Sequence, residues 1–212
     1  MILAFDGSSI DGSAYTYVLD LAQDSPSWLD SLVSAWSTYG LGLFAVFMLL
    51  GWWQARRVSA RAALIALAVP VIVVVAYAVN SVFKMLVRED RPCQSLRVKT
   101  LEACPAPGDW SFPSNHAVIA AAAAVALLFV SRRLGTAAVV AACAMAVSRV
   151  WVGVHYPHDV VAGVLVGTLI AMLLTAALRR VTETLAHRLT GSPLRPLLVA
   201  PQLAGATPYE KR

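Results

Sequence analysis

Charge is scarce in this chain. Its 12 acidic and 17 basic residues make up 14% of 212 positions, against roughly 25% in soluble proteins, which argues against a water-soluble globule. Cysteine is scarcer still, with three residues, too few for a small secreted scaffold held by disulfides. The sequence has no internal repeat, no Cys/His cluster at metal-ligand spacing and no phosphate-binding glycine loop. It has no low-complexity tract beyond the alanine-rich stretch 120–126, which suits close helix packing rather than chemistry. The N-terminal thirty residues hold Asp6, Asp11, Asp20, Asp24 and Asp30 with no Lys or Arg. The basic n-region of a cleavable signal is therefore missing, and this segment is expected to be retained.

What is present is apolar: 58% of the residues are hydrophobic, and five long runs carry no charge, at 31–55, 62–83, 110–131, 134–148 and 160–178. A bilayer core needs roughly 20 apolar helical residues per crossing. The expected fold is an all-α polytopic membrane bundle with about five transmembrane helices. The runs are continuous rather than alternating, which argues against a β-barrel.

The net charge of +5 is explained by location rather than by a nucleic-acid partner. Arg56, Arg57 and Arg61 follow the first run, Arg132 and Arg133 follow the third, and Arg179, Arg180, Arg188, Arg195, Lys211 and Arg212 populate the tail. With five crossings, the positive-inside rule places the N-terminus outside and the C-terminus in the cytoplasm. The loop 84–116 then faces outward. Tyr15, Val18, Leu19 and Ala22, and after Pro26 the residues Trp28, Leu29, Leu32, Val33 and Trp36, recur at helical spacing. They suit either an interfacial amphipathic helix or a looser arm. The expected division is an N-terminal arm over 1–30, a membrane-embedded domain over 31–180 and a cytoplasmic tail over 181–212. Cys143 reads as a small packing residue, while Cys93 and Cys104, in the outward loop, are open to either a disulfide or two free thiols.

The polar residues converge. Lys84, Arg88, Glu89, Asp90 and Arg91 end the second run; Pro113, Ser114, Asn115 and His116 open the third; Arg149 ends the fourth; His155, His158 and Asp159 open the fifth. Each set alone has an ordinary reading, as snorkelling charges or a helix cap. Under the topology above, all four lie at the outer face, with three of the four histidines. Lys84, Arg91 and Arg149 are cations suited to phosphate oxygens, and the N–H groups of Ser114, Asn115 and His116 open a helix as an anion site. His155 and Asp159, four apart, share a helix face. A histidine held by a carboxylate is a nucleophile and a second histidine can serve as acid, an inventory for metal-free phosphoryl transfer.

These residues resemble the type 2 phosphatidic acid phosphatase superfamily, whose signature reads K-x6-R-P, then P-S-G-H, then S-R-x5-H-x3-D. Lys84 with Arg91-Pro92, Pro113-Ser114-Asn115-His116, and Ser148-Arg149 with His155 and Asp159 match it, except that Asn115 stands where the pattern has glycine. The left-handed backbone that asparagine tolerates would preserve a turn there. Within the superfamily the chain looks most like bacterial undecaprenyl-diphosphate phosphatases of the bacitracin-resistance type.

The resemblance implies roles: His155 as nucleophile, Asp159 orienting it, His116 protonating the leaving group, and Lys84, Arg91, Ser114, Asn115 and Arg149 holding phosphate, without metal or cofactor. His158 would be a surface or supporting residue, and Arg88, Glu89 and Asp90 solvated. The implied substrate is a polyprenyl diphosphate, undecaprenyl or decaprenyl, met at the outer face of a bacterial plasma membrane. Phosphatidate, phosphatidylglycerophosphate and polyprenyl-phosphoribose are alternatives within the resemblance. A transporter of anionic lipids is the non-enzymatic alternative, disfavoured because such sites lie at the midplane. The oligomeric state is left open.

Overall fold

The computed structural model describes residues 5–200, which are helical apart from connecting segments and one isolated bridge between Phe5 and Glu89. Lys211 and Arg212 of the basic tail lie outside the described residues. The chain runs through α1 (Ser8–Gln23), α2 (Ser27–Tyr39), α3 (Leu41–Ala55), α4 (Ala60–Val87) and the one-turn α5 (Pro92–Ser95). An irregular stretch leads to α6 (Asn115–Leu128), followed by α7 (Arg132–Trp151), α8 (Pro157–Thr190) and the short α9 (Arg195–Leu198). Ser59 and Ser131 cap α4 and α7, accepting from the N–H groups of Ala62 and Leu134.

Helices α4, α7 and α8 are each long and apolar enough to cross a bilayer, and α2 and α3 reach that length and apolarity together, as a pair bent by 53°. The run 31–55 is thus two helices meeting at Gly40. A side chain at Gly40 would collide with Trp36 and Met145, so the glycine permits close packing at the bend. The run 110–131 is shorter as a helix than as an apolar stretch, because 110–114 is non-helical and tied into the loop between α4 and α6. Its helix α6 has 14 residues, about 21 Å. The described residues therefore contain three long apolar helices, one bent pair and one shorter apolar helix, and these coincide with the five apolar runs of the sequence.

The short helix is the centre of the bundle. Ala117, Val118, Ala120 to Ala124, Ala126 and Leu127 are all buried, and α4, α7 and α8 pack around them. Gly163 and Gly167 of α8 lie directly on α6: a Cβ at Gly163 would stand 2.7 Å from the Ser114 carbonyl, and one at Gly167 would press on that of Val118. Small residues one turn apart bring two backbones together where the solvent is lipid. This contact fixes the start of α6 against the start of α8, where the Ser114 N–H donates to the Asp159 carbonyl at 3.0 Å.

The two ends of the bundle differ. At one end the arginines gather: Arg61 donates to the Arg179 carbonyl at 3.5 Å, Arg56 stacks over Trp52 and Trp53, and Arg179 lies over Phe129. The end of α4 and the starts of α6 and α8 meet at the other. There α1 closes over the bundle, with Tyr15, Leu19 and Ala22 buried and packed among Val150, Tyr156 and Val160. The apolar face of the N-terminal helix therefore meets protein rather than a lipid interface. The boundaries expected at 31 and 180 both fall inside helices, since α2 begins at Ser27 and α8 continues to Thr190. Cys143 is exposed rather than packed inside.

Candidate active site

His155 sits in the turn between α7 and α8, made possible by Gly153, whose φ of +87° few other residues adopt. The ring is 2% exposed. Its Nδ1 lies 3.3 Å from Asp159 Oδ2, and its Nε2 lies 3.2 Å from Arg91 Nη1. Arginine can only donate, so Nε2 is the acceptor and the proton resides on Nδ1, facing Asp159. Burial, then the charges of Arg91, Lys84 and Arg149, hold the His155 pKa well below its usual value. The ring is therefore neutral near pH 7, with a lone pair on Nε2.

Asp159 is fully buried. Its Oδ2 accepts from the Tyr156 N–H at 2.9 Å and from Ser111 Oγ at 2.5 Å. Ser111 also lies 3.3 Å from His155 Nδ1. It was not singled out in the sequence, since a serine one turn outside the signature carries no spacing of its own.

The cations surround this pair. Arg91 donates through Nε to the Asp109 carbonyl, through Nη2 to the Asp109 carboxylate, and through Nη1 to the Val154 carbonyl. Lys84 Nζ donates to the carbonyls of Trp110 and Ser111 at 2.5 and 3.0 Å. Arg149 donates to Ser37 Oγ and lies 3.4 Å from Glu102 Oε2. Ser114 is the residue before α6, and the half-buried His116 stands in that helix's first turn.

Asn115 is the first residue of α6, and the only non-glycine residues with positive φ are Arg88 and Arg97 among the described residues. The left-handed turn expected at Asn115 is absent. Its Oδ1 instead accepts from Asn80 Nδ2 at 2.7 Å, and Asn80 also donates to the Pro113 carbonyl. Asn80 lies one turn before Lys84 on the inner face of α4, a lone amide in an apolar run and so a legible signal of a polar interior.

Glu89 corrects the expectation that the spacer is solvated. It is 1% exposed, with its carboxylate 3.0 Å from His158 Nε2. Its backbone is held by the Ser111 N–H, and the neighbouring Arg88 and Asp90 pair with Phe5, which draws the side chain inward. Cys93 and Cys104 are joined, their Cα atoms 5.9 Å apart.

A membrane-spanning helical bundle that gathers three cations and a histidine–carboxylate pair at one end defines an integral membrane phosphatase. The PAP2 superfamily profile matches residues 65–183, and the chain belongs to that superfamily. It is 31% identical over 147 residues to the undecaprenyl-diphosphatase BcrC of Bacillus subtilis (strain 168), covering 69% of this chain and 74% of that one. It is 38% identical over 100 residues to the decaprenylphosphoryl-5-phosphoribose phosphatase of Mycobacterium tuberculosis, covering 47% of this chain and about half, 53%, of that relative. The crystal structure of a transmembrane PAP2 type phosphatidylglycerolphosphate phosphatase from Bacillus subtilis superposes with a TM-score of 0.53 at 19% identity, over 84% of this chain and 87% of that one. At that identity the likeness concerns the fold.

Proposed function

We propose that this phosphatase removes the terminal phosphate of a polyprenyl diphosphate at the outer face of a bacterial plasma membrane, through a phosphohistidine on His155. The observation that carries the reading is the lone pair of His155 Nε2, buried and turned toward the cation Arg91 while Nδ1–H is directed at Asp159. Nε2 bonds to the terminal phosphorus as the bond to the bridging oxygen breaks and the lipid monophosphate departs, with His116 supplying a proton to the leaving oxygen. Water then gives a proton to His116 and attacks phosphorus, which frees His155 and inorganic phosphate. Arg91, Lys84 and Arg149 exchange their resting acceptors for phosphoryl oxygens, joined by the Ser114 hydroxyl, which has no partner among the described residues, and by the N–H of Asn115 at the start of α6.

An apolar groove of about 650 Å³ between α2 and α7 is lined by Leu29, Leu32, Trp36, Val147 and Trp151, and by Ser148, the chain neighbour of Arg149. It suits the isoprenoid chain. The test is phosphate release by purified protein from polyprenyl diphosphate, polyprenyl monophosphate and phosphatidate, with EDTA throughout. Preference for the diphosphate, persistence in EDTA and inhibition by vanadate are expected, because side chains neutralise the phosphoryl group. Strict magnesium dependence would sink the mechanism, and preference for phosphatidate would sink the substrate.

A further inference from the structure

Behind Asp159, on the side away from His155, three carboxylates and one imidazole form a second cluster. His158 Nδ1 lies 2.7 Å from Asp11 Oδ1, and its backbone N–H donates to Asp11 Oδ2 at 2.7 Å. Its Nε2 lies 3.0 and 3.2 Å from the two oxygens of Glu89 and 3.6 Å from Asp159 Oδ1. Asp159 Oδ1 is buried and has no hydrogen-bond partner among the described residues. The groups facing the ring come from three elements: Asp11 from α1, Glu89 from the segment after α4, and Asp159 from α8 itself. The rings of Phe112 and Tyr156 stack on the imidazole at 5.9 and 5.4 Å.

A neutral imidazole has one N–H and one lone pair, and ionised carboxylates only accept. With a carboxylate at both ring nitrogens, each nitrogen must donate. Aromatic faces on the same ring favour a cation as well. We propose that His158 is a positioning residue, held as an imidazolium that offsets Glu89 and leaves the Asp159 carboxylate free to hold His155 Nδ1–H. Asp11 anchors this cation from α1, at the one position where that helix departs from helical angles, φ −144° and ψ 27°. The N-terminal helix is thereby part of the site. Gly7, just before α1, packs so closely on Glu89 and His158 that a side chain there would collide with both. The inference rests on the reading of Asp159 as the partner of the nucleophile.

Two measurements on the full-length protein in detergent test it. In ¹⁵N-histidine NMR, assigned by loss of the signal in H158Q, both ring nitrogens of His158 are expected to be protonated at neutral pH; a neutral ring overturns the proposal. In steady-state hydrolysis of a polyprenyl diphosphate, H158Q is expected to lower kcat about 10- to 100-fold, the range typical of groups that support a reacting side chain from behind, with KM little changed. The E89Q/H158Q pair, with both charges gone, should recover most of that loss.

If stacking between aromatic rings is all that His158 supplies, the pair stays as slow as H158Q and the charge account is overturned. Should H158Q fail to fold, folding of the pair supports the account and its failure refutes it. Wild-type protein with no diphosphatase activity overturns the proposed function instead, while the NMR measurement still decides the charge of His158.

Discussion

Arg91 and Asp159 between them decide which nitrogen of His155 carries the proton and which the lone pair, and the proposed attack from the latter has consequences that can be measured. The ring is kept neutral by burial and by neighbouring cations, so lowering the pH inactivates it only when the proton finally binds, well below the ordinary histidine value. The acid limb of kcat/KM due to His155 should therefore lie below pH 6.5, and a limb centred at 6.5 or above would contradict the assignment. The acid role proposed for His116 can be tested through the leaving group. A diphosphate expels a lipid phosphate, a stable anion, whereas a monophosphate expels an alkoxide and needs a proton. A positioned acid contributes about 10² to 10⁴ in rate. His155→Ala should abolish hydrolysis of both substrates, and His116→Ala should damage monophosphate hydrolysis more than diphosphate hydrolysis. Equal losses in single-turnover measurements would make His116 a phosphate ligand rather than an acid. The candidate residues were legible because Lys84, Arg91, Ser114, His116, Arg149, His155 and Asp159 recur at fixed spacings. Ser111, Glu89 and Asp11 were not, because their partners lie 48, 69 and 147 positions away and only the folded chain brings them together.

Among the elements, α2 and α7 frame the groove assigned to the lipid tail. Ala144 and Cys143 of α7 line it, which is why the cysteine expected in the interior is exposed. Ala144→Trp should fill the groove and raise KM for a long polyprenyl diphosphate severalfold, leaving a ten-carbon isoprenyl diphosphate unaffected. Equal effects on both would place the tail elsewhere. Apolar runs revealed the spans but not the break at Gly40, since hydropathy averages over a bend. They also overstated α6, whose flanking residues 110–114 are apolar enough to extend the run yet lie outside the helix, with the carbonyls of Trp110 and Ser111 taken by Lys84 and that of Pro113 by Asn80. The apolar face of α1 was legible as helical spacing, but its partner was not: Tyr15 donates to the Gly153 carbonyl 138 positions away.

For the molecule as a whole, Arg56, Arg61 and Arg179 gather at the end of the bundle away from the site, while Arg91 and Arg149 belong to the site itself. Orientation itself is testable: a cysteine at Ala106, in the loop beside the site, should react with an impermeant reagent on intact cells lacking Cys143, and one at Arg57 should not. The reverse pattern would put the site in the cytoplasm and remove an outward-facing lipid from consideration.

The burial of α6 has a further consequence, for biogenesis. This helix of 14 residues meets α8, whose glycines receive it, only after some thirty more residues have been made. Until then its alanines are a weak signal for membrane insertion, being small and little more apolar than the backbone they cover. The site also draws its last member, Asp159, from the first turn of α8. A chain halted before Pro157 thus leaves the ribosome with a centre that has nothing to close upon it, and a nascent chain acquires its central helix and its chemistry in the same late step of synthesis.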